Sequence, residues 1–250
     1  MNHMTKCFCS TLLLFATARL SAQVFLTSSS YAQNFDSLEA AGGANTTVPA
    51  GWTFLESGGN ADGTYRAGTG SSSTGDTYSF GINDSSDRAF GTLQSGSLSS
   101  AIGAEFLNSS GQTISDLRIS YTGEQWRLGT AGRADRLDFQ YSLDATTLAD
   151  GTWTDFDALD FFSPNTTVTG ALDGNAAENR SFLNATLPGL NISEGSTFWF
   201  RWNDFNASGS DDGLGIDEFQ MTAVPEPSTY AFVAGFLLLG FAAFRRRWRS

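Results

Sequence analysis

Among its 250 residues the chain has one histidine, one lysine and two cysteines, and all four (His3, Lys6, Cys7 and Cys9) lie at the very start. After Cys9 there is no histidine, lysine or cysteine. No Ser-His-Asp or Cys-His nucleophile can be assembled from the remainder, no zinc site can be built on His or Cys, and no lysine can form a Schiff base. Neither can a disulfide form there, even in a compartment that permits one. Any catalysis would rest on Asp, Glu, Tyr or Arg, or on a metal held by oxygen ligands. Positive charge is also scarce: from Asp36 to Glu226 there are 26 acidic residues against 8 arginines, a balance of about −18. Such a field repels nucleic-acid phosphates and anionic membrane surfaces, which argues against nucleic acid as a partner. It suits a solvated extracellular protein, or one whose carboxylates hold divalent cations.

Long apolar runs are confined to the two ends. Met1 to Ala22 has a short polar start with Lys6, an apolar stretch through Leu12, Leu13, Leu14 and Phe15, and small residues near its close. That is the pattern of a secretory signal peptide, with cleavage expected after Ala22. At the other end, residues 224–250 comprise a Pro225-Glu226-Pro227 break, an uncharged apolar run from Tyr230 to Phe244, and the basic cluster Arg245, Arg246, Arg247 and Arg249. As a helix, the apolar run would be roughly 22 Å long, a thin transmembrane anchor with its arginines on the cytoplasmic side.

This order of Pro-Glu-Pro, short apolar helix and terminal arginines resembles the PEP-CTERM sorting signal of Gram-negative bacteria. The resemblance implies a precursor held in the inner membrane and an exosortase-type enzyme that recognises Pro225, Glu226 and Pro227. It also implies delivery to the envelope surface or extracellular matrix, commonly in cells that make exopolysaccharide.

Between the ends, residues 23–223 form one expected domain without sustained helical periodicity. Leu117, Ile119 and Tyr121 alternate with polar neighbours, as do Leu137, Phe139, Tyr141 and Leu143, and a period of two marks a half-buried strand. Further strands are expected at 31–38, 51–56, 76–82, 88–94, 101–107, 180–187, 197–205 and 215–222, with a less regular stretch at 153–161. Gly, Ser, Asn and Asp punctuate these runs about every ten residues, which favours an all-β sandwich of two antiparallel sheets, a jelly roll. The stretch TFWFRWNDFNASGSDDGLGIDEFQMT, from Thr197 to Thr222, resembles the closing hairpin of secreted jelly-roll modules of bacterial surface proteins. The lectin-like and carbohydrate-binding versions of that scaffold imply a sugar ligand, although the scaffold alone does not fix a function.

Three groups of residues could carry chemistry. Asp204, Asp211, Asp212 and Asp217 cluster around an Asp- and Gly-rich loop that could offer calcium its hard oxygens. The resemblance places the first strand against the last, which would add Asp36. The second group is aromatic: Trp199 shares its face with Arg201 and Asn203, and Trp126 sits beside Glu124 and Arg127, settings in which an exposed ring could stack on a sugar. The third is a carboxylate pair of the glycosidase type, for which Glu105, Glu124, Glu178 and Asp138 are available and no spacing selects two. The sequence therefore points to an exported, non-catalytic structural or exopolysaccharide-binding β-sandwich. The alternative is a carboxylate-based glycoside hydrolase or a calcium-dependent polysaccharide lyase.

Overall fold

Alternating apolar and polar residues give each strand one face to bury, and the chain satisfies this with two sheets packed face to face. The computed structural model describes residues 23–83 and 85–225. The expected signal peptide, Asp84, and the tail from Glu226 onward, with its apolar run and Arg245, Arg246 and Arg247, lie outside the described residues. The strands are, in chain order, β1 (Val24–Leu26), β2 (Ser30–Gln33), β3 (Trp52–Ser57), β4 (Tyr65–Gly68), β5 (Asp76–Phe80), β6 (Ala89–Leu93), β7 (Ser99–Asn108) and β8 (Ile114–Leu128). They continue with β9 (Arg136–Ser142), β10 (Thr154–Asp155), β11 (Phe161–Phe162), β12 (Gly170–Ala171), β13 (Arg180–Leu187), β14 (Thr197–Asp204) and β15 (Gly213–Pro225).

Sheet A is built on the neighbours β7, β14 and β9, with β1 and β3 paired to β7, and β10 and β11 paired to β9. Sheet B is built on β8 and β15: β12 and β13 pair with β8, β2 and β6 with β15, and β5 and β4 continue outward from β6. Among the described residues only β1 with β7 and β4 with β5 run parallel. The chain's early and late strands do meet, since Gln33 of β2 stands opposite Phe219 of β15. Among the described residues no helix is long and apolar enough to cross a membrane.

The core lies between the sheets. Phe198, Phe200 and Trp202 of β14 point into it, as the alternation requires, with Leu137 and Phe139 of β9, and Leu117, Ile119 and Tyr121 of β8. Trp52 and Trp202 stack at its centre, 5.8 Å apart and 19° from parallel, and Phe219 meets both edge-on. Each such ring buries on the order of 150–250 Å², so the sandwich holds without cross-links. Several polar groups drawn inside are paired: Thr77 Oγ1 donates to Glu56 Oε1 at 2.7 Å, and the buried Tyr121 hydroxyl donates to the Leu159 carbonyl.

Strands β1, β4 and β12 have no counterpart in the sequence reading. They are two to four residues long and carry no alternation to detect; pairing with longer neighbours defines them. The strand expected at 76–82 ends at Phe80, and Ile82 beyond it is exposed.

Candidate functional site

The same alternation that sends Phe198, Phe200 and Trp202 inward puts Trp199, Arg201 and Asn203 on the outer face of sheet A. On β9 it does so for Arg136, Asp138 and Gln140, which span roughly 14 Å at 3.4 Å per residue. Arg201 and Gln140 are cross-strand partners, and Gln140 is in turn opposite Asp155 of β10. These three form a chain: Arg201 Nε donates to Gln140 Oε1 at 2.6 Å, and Gln140 Nε2 donates to Asp155 Oδ1. The Arg201 guanidinium lies 4.0 Å from the ring centre of half-buried Trp153.

Trp153 is held from behind. Its indole N–H donates to the Asp150 carbonyl at 2.7 Å, and the Asp150 carboxylate accepts the Thr146 and Thr147 amides. Those hydrogen bonds, with that from the Thr146 hydroxyl, hold the Asp150 pKa down to about 2. Asp144 ties the other side of the loop by accepting the Thr152 amide at 2.7 Å. The polar row thus sits beside a ring whose orientation is fixed.

Asp155 also lines a cavity of about 190 Å³ with Arg136, Asp138, Asp157, Asp160 and Phe162. The Arg136 guanidinium pairs with Asp138 and stands 4.5 Å from the centre of the Phe205 ring and 5.8 Å from that of Phe162. These two rings are 41% and 51% exposed. Burial pushes the Asp160 pKa up, while Oδ1 accepts the Phe139 amide at 2.9 Å. The face therefore offers aromatic surface at both ends, with fixed donors and acceptors between them.

Of the residues singled out for sugar stacking, Arg201 belongs to this face and the two tryptophans do not serve as expected. Trp199 points outward from sheet A but is 3% exposed, covered by Ala145 and Leu148 of the 143–153 loop. Trp126 is 1% exposed and lies on the outer face of sheet B at the end of a stack with Phe80 and Tyr78. Loops cover it: a Cβ on Gly174 would stand 2.4 Å from the indole, and one on Gly70, at φ +75°, 1.7 Å from the Trp126 carbonyl oxygen. Alternation shows which sheet face a residue occupies, but not whether a distant loop covers that face.

Of the five aspartates singled out for calcium, Asp204, Asp211 and Asp212 come near one another and near Asp135, while Asp36 and Asp217 lie elsewhere. Asp36 is an exposed turn residue bonded to Asn34. Asp204 Oδ2 accepts the Thr92 hydroxyl, and Asp211 accepts the Ala207 amide. Asp212 accepts from the Gly129 amide and the Gln125 side chain, while its own amide donates to Asp135. Arg133 occupies the centre of this loop, bonded to the Ser208 and Ser210 carbonyls and lying 3.2 Å from Asp135 and 3.7 Å from Asp212. A guanidinium thus balances Asp135 and Asp212 where a cation was expected, Asp204 and Asp211 are tied to a hydroxyl and an amide, and the residues as arranged do not fit calcium.

Asp217 lies elsewhere, buried on the outer face of sheet B near Glu124. Burial raises Asp217 to about 8 and Glu124 to about 7. Among the described residues the only group of three acids with oxygens within 4.8 Å of one another is Glu56, Asp62 and Asp76, none of them singled out from sequence. Arg66 already pairs with Asp62 and Asp76.

No protein-family model and no curated protein matches the chain. Among solved structures it is similar to the CBM22-1 xylan-binding domain of Paenibacillus barcinonensis Xyn10C, at 12% identity over 78% of this chain and 94% of that one, with a TM-score of 0.40. It is also similar to the K3 cleaved adhesin domain of Lys-gingipain from Porphyromonas gingivalis, at 12% identity over 70% and 93%, with a TM-score of 0.42. A third similar structure is TmCBM61 in complex with β-1,4-galactotriose, at 9% identity over 68% and 88%, with a TM-score of 0.34.

Proposed function

We propose that the outer face of sheet A binds a polysaccharide without cleaving it, and that the protein acts at the cell surface or in the matrix after exosortase-type processing of a membrane-held precursor. The observation that carries the binding reading is the array of Trp153, Arg201, Gln140 and Asp155. A sugar presents apolar C–H faces and hydroxyls that both donate and accept, and this array supplies a ring, guanidinium donors, a carboxylate and an amide side by side on one sheet face.

The hydrolase reading has a weaker basis in the neighbouring cavity. Asp138 is paired with Arg136, Asp160 accepts a backbone amide and Asp155 accepts from Gln140, so these acids hold the face together. Affinity electrophoresis against a panel of polysaccharides tests the proposal. Trp153→Ala and Gln140→Ala are expected to lose about tenfold in affinity for any retarding polysaccharide, equivalent to about 1.4 kcal/mol. Retardation that is unchanged in both variants overturns the assignment of this face. Release of new reducing ends overturns the non-catalytic reading.

A further inference from the structure

In a domain this acidic, one cavity has no carboxylate among the described residues that line it. It lies at the free edge of sheet B, where β4 ends, and measures about 420 Å³. Small residues such as Ala40, Ala41, Gly42 and Gly68 form much of its wall, and its polar lining comes from Ser and Thr hydroxyls, Tyr78, Asn83 and Arg88. Arg88 is the most deeply buried of these, at 1% exposure.

Its guanidinium is satisfied by neutral groups only. Nε donates to Ser79 Oγ at 2.9 Å, Nη2 to the Ser79 carbonyl, and Nη1 only to the Ile82 carbonyl at a long 3.4 Å. Among the described residues no carboxylate forms an ion pair with it; the acids whose charge it feels, Asp87 and Glu39, are both exposed. Arginine does not shed its proton, so the charge stays buried, and a buried unpaired charge is costly. Gly81 packs directly against this guanidinium, since a Cβ there would stand 2.3 Å from Nη1 and leave it no room. A buried guanidinium held by neutral groups, with Nη1 making only one long hydrogen bond, and lining a cavity with no carboxylate among its described lining residues, is suited to a carboxylate, which a guanidinium can bind through two parallel hydrogen bonds.

The geometry points to this cavity as an anion subsite that takes the carboxylate of an acidic sugar, a uronic acid residue, with Arg88 as its charge partner and Asn83 and the Ser and Thr hydroxyls facing the sugar hydroxyls. The subsite is separate from the outer face of sheet A, so either assignment can fail without the other.

The test is titration of the full-length protein with sodium glucuronate, glucose and sodium acetate, followed through the amide signals of Gly68 and Gly81 by NMR. Saturable shifts are expected with glucuronate, at least tenfold weaker with glucose and with acetate, and at least tenfold weaker in Arg88→Met. Because Arg88 is buried, Ala41→Trp serves as the second variant: it fills the cavity from its exposed rim and is expected to abolish the response with the fold intact. No saturable response to glucuronate, an equal response to glucose or acetate, or a response that survives Ala41→Trp overturns the proposal.

Discussion

Replacing Asp217 with asparagine should flatten the dependence of stability on pH. Asp217 is buried, and its Oδ1 has no hydrogen-bond partner among the described residues. Burial is the main cause that raises its pKa to about 8, and the Glu124 carboxylate adds to it. In the unfolded chain an aspartate loses its proton near pH 3.9. Between roughly pH 4 and 8 the folded protein therefore holds one more proton at this site than the unfolded chain, and stability falls as pH rises through that window. The loss is about 1.4 kcal/mol per pH unit, or at most about 4 kcal/mol by pH 7. Glu124, raised to about 7, adds a similar slope up to its own pKa.

Asparagine cannot titrate, so the variant should show about half the slope that the two acids together give the wild type between pH 5 and 7. At roughly 2–4 °C per kcal/mol for a domain of this size, the fall in melting temperature from pH 5 to 7 should shrink by roughly 5–10 °C. Calorimetric melts at pH 5, 6, 7 and 8 and fixed ionic strength provide the measurement. The slope is the quantity to compare, because a buried amide shifts the whole curve without titrating. Equal slopes in variant and wild type, or a wild type more stable at pH 8 than at pH 5, would refute the reasoning.

Removing Arg133, as in Arg133→Met, should destabilise the domain by about 3–5 kcal/mol, because it leaves Asp135 and Asp212 buried without their cation; chemical denaturation would show it. By the same argument calcium should leave the wild-type melting temperature unchanged, and a rise specific to calcium over magnesium would count against the arginine as the central charge. Gly70→Ala should cost at least about 3 kcal/mol or prevent folding, since it combines a positive φ with a Cβ 1.7 Å from the Trp126 carbonyl oxygen; soluble yield and melting temperature report it. If the tail is processed as proposed, mass spectrometry of the surface protein should show no peptide containing Arg245 to Arg249, and recovery of the intact arginines at the surface would contradict it.

Alternation alone located most of the sandwich, because a strand that buries one face records that fact every second residue. The segment from Thr197 to Asp204 shows both the strength and the limit of this signal. It assigned Phe198, Phe200 and Trp202 to the core and Trp199, Arg201 and Asn203 to the outer face, as observed. It could not show that the 143–153 loop covers Trp199 while Trp153 from that loop is left beside Arg201. Trp153 opens the less regular stretch at 153–161, with no alternating partner to orient it. Short strands such as β4 escaped for the same reason.

The sequence by itself determined the all-β class, the inward and outward faces of the long strands, and the lack of any His, Lys or Cys to do chemistry after Cys9, since these depend on residue type and local period. Only the tertiary structure decided which rings are covered, which aspartates Arg133 neutralises, and that Arg88 sits buried without a carboxylate partner among the described residues. Those outcomes depend on contacts between segments far apart in the chain, and no local pattern records them.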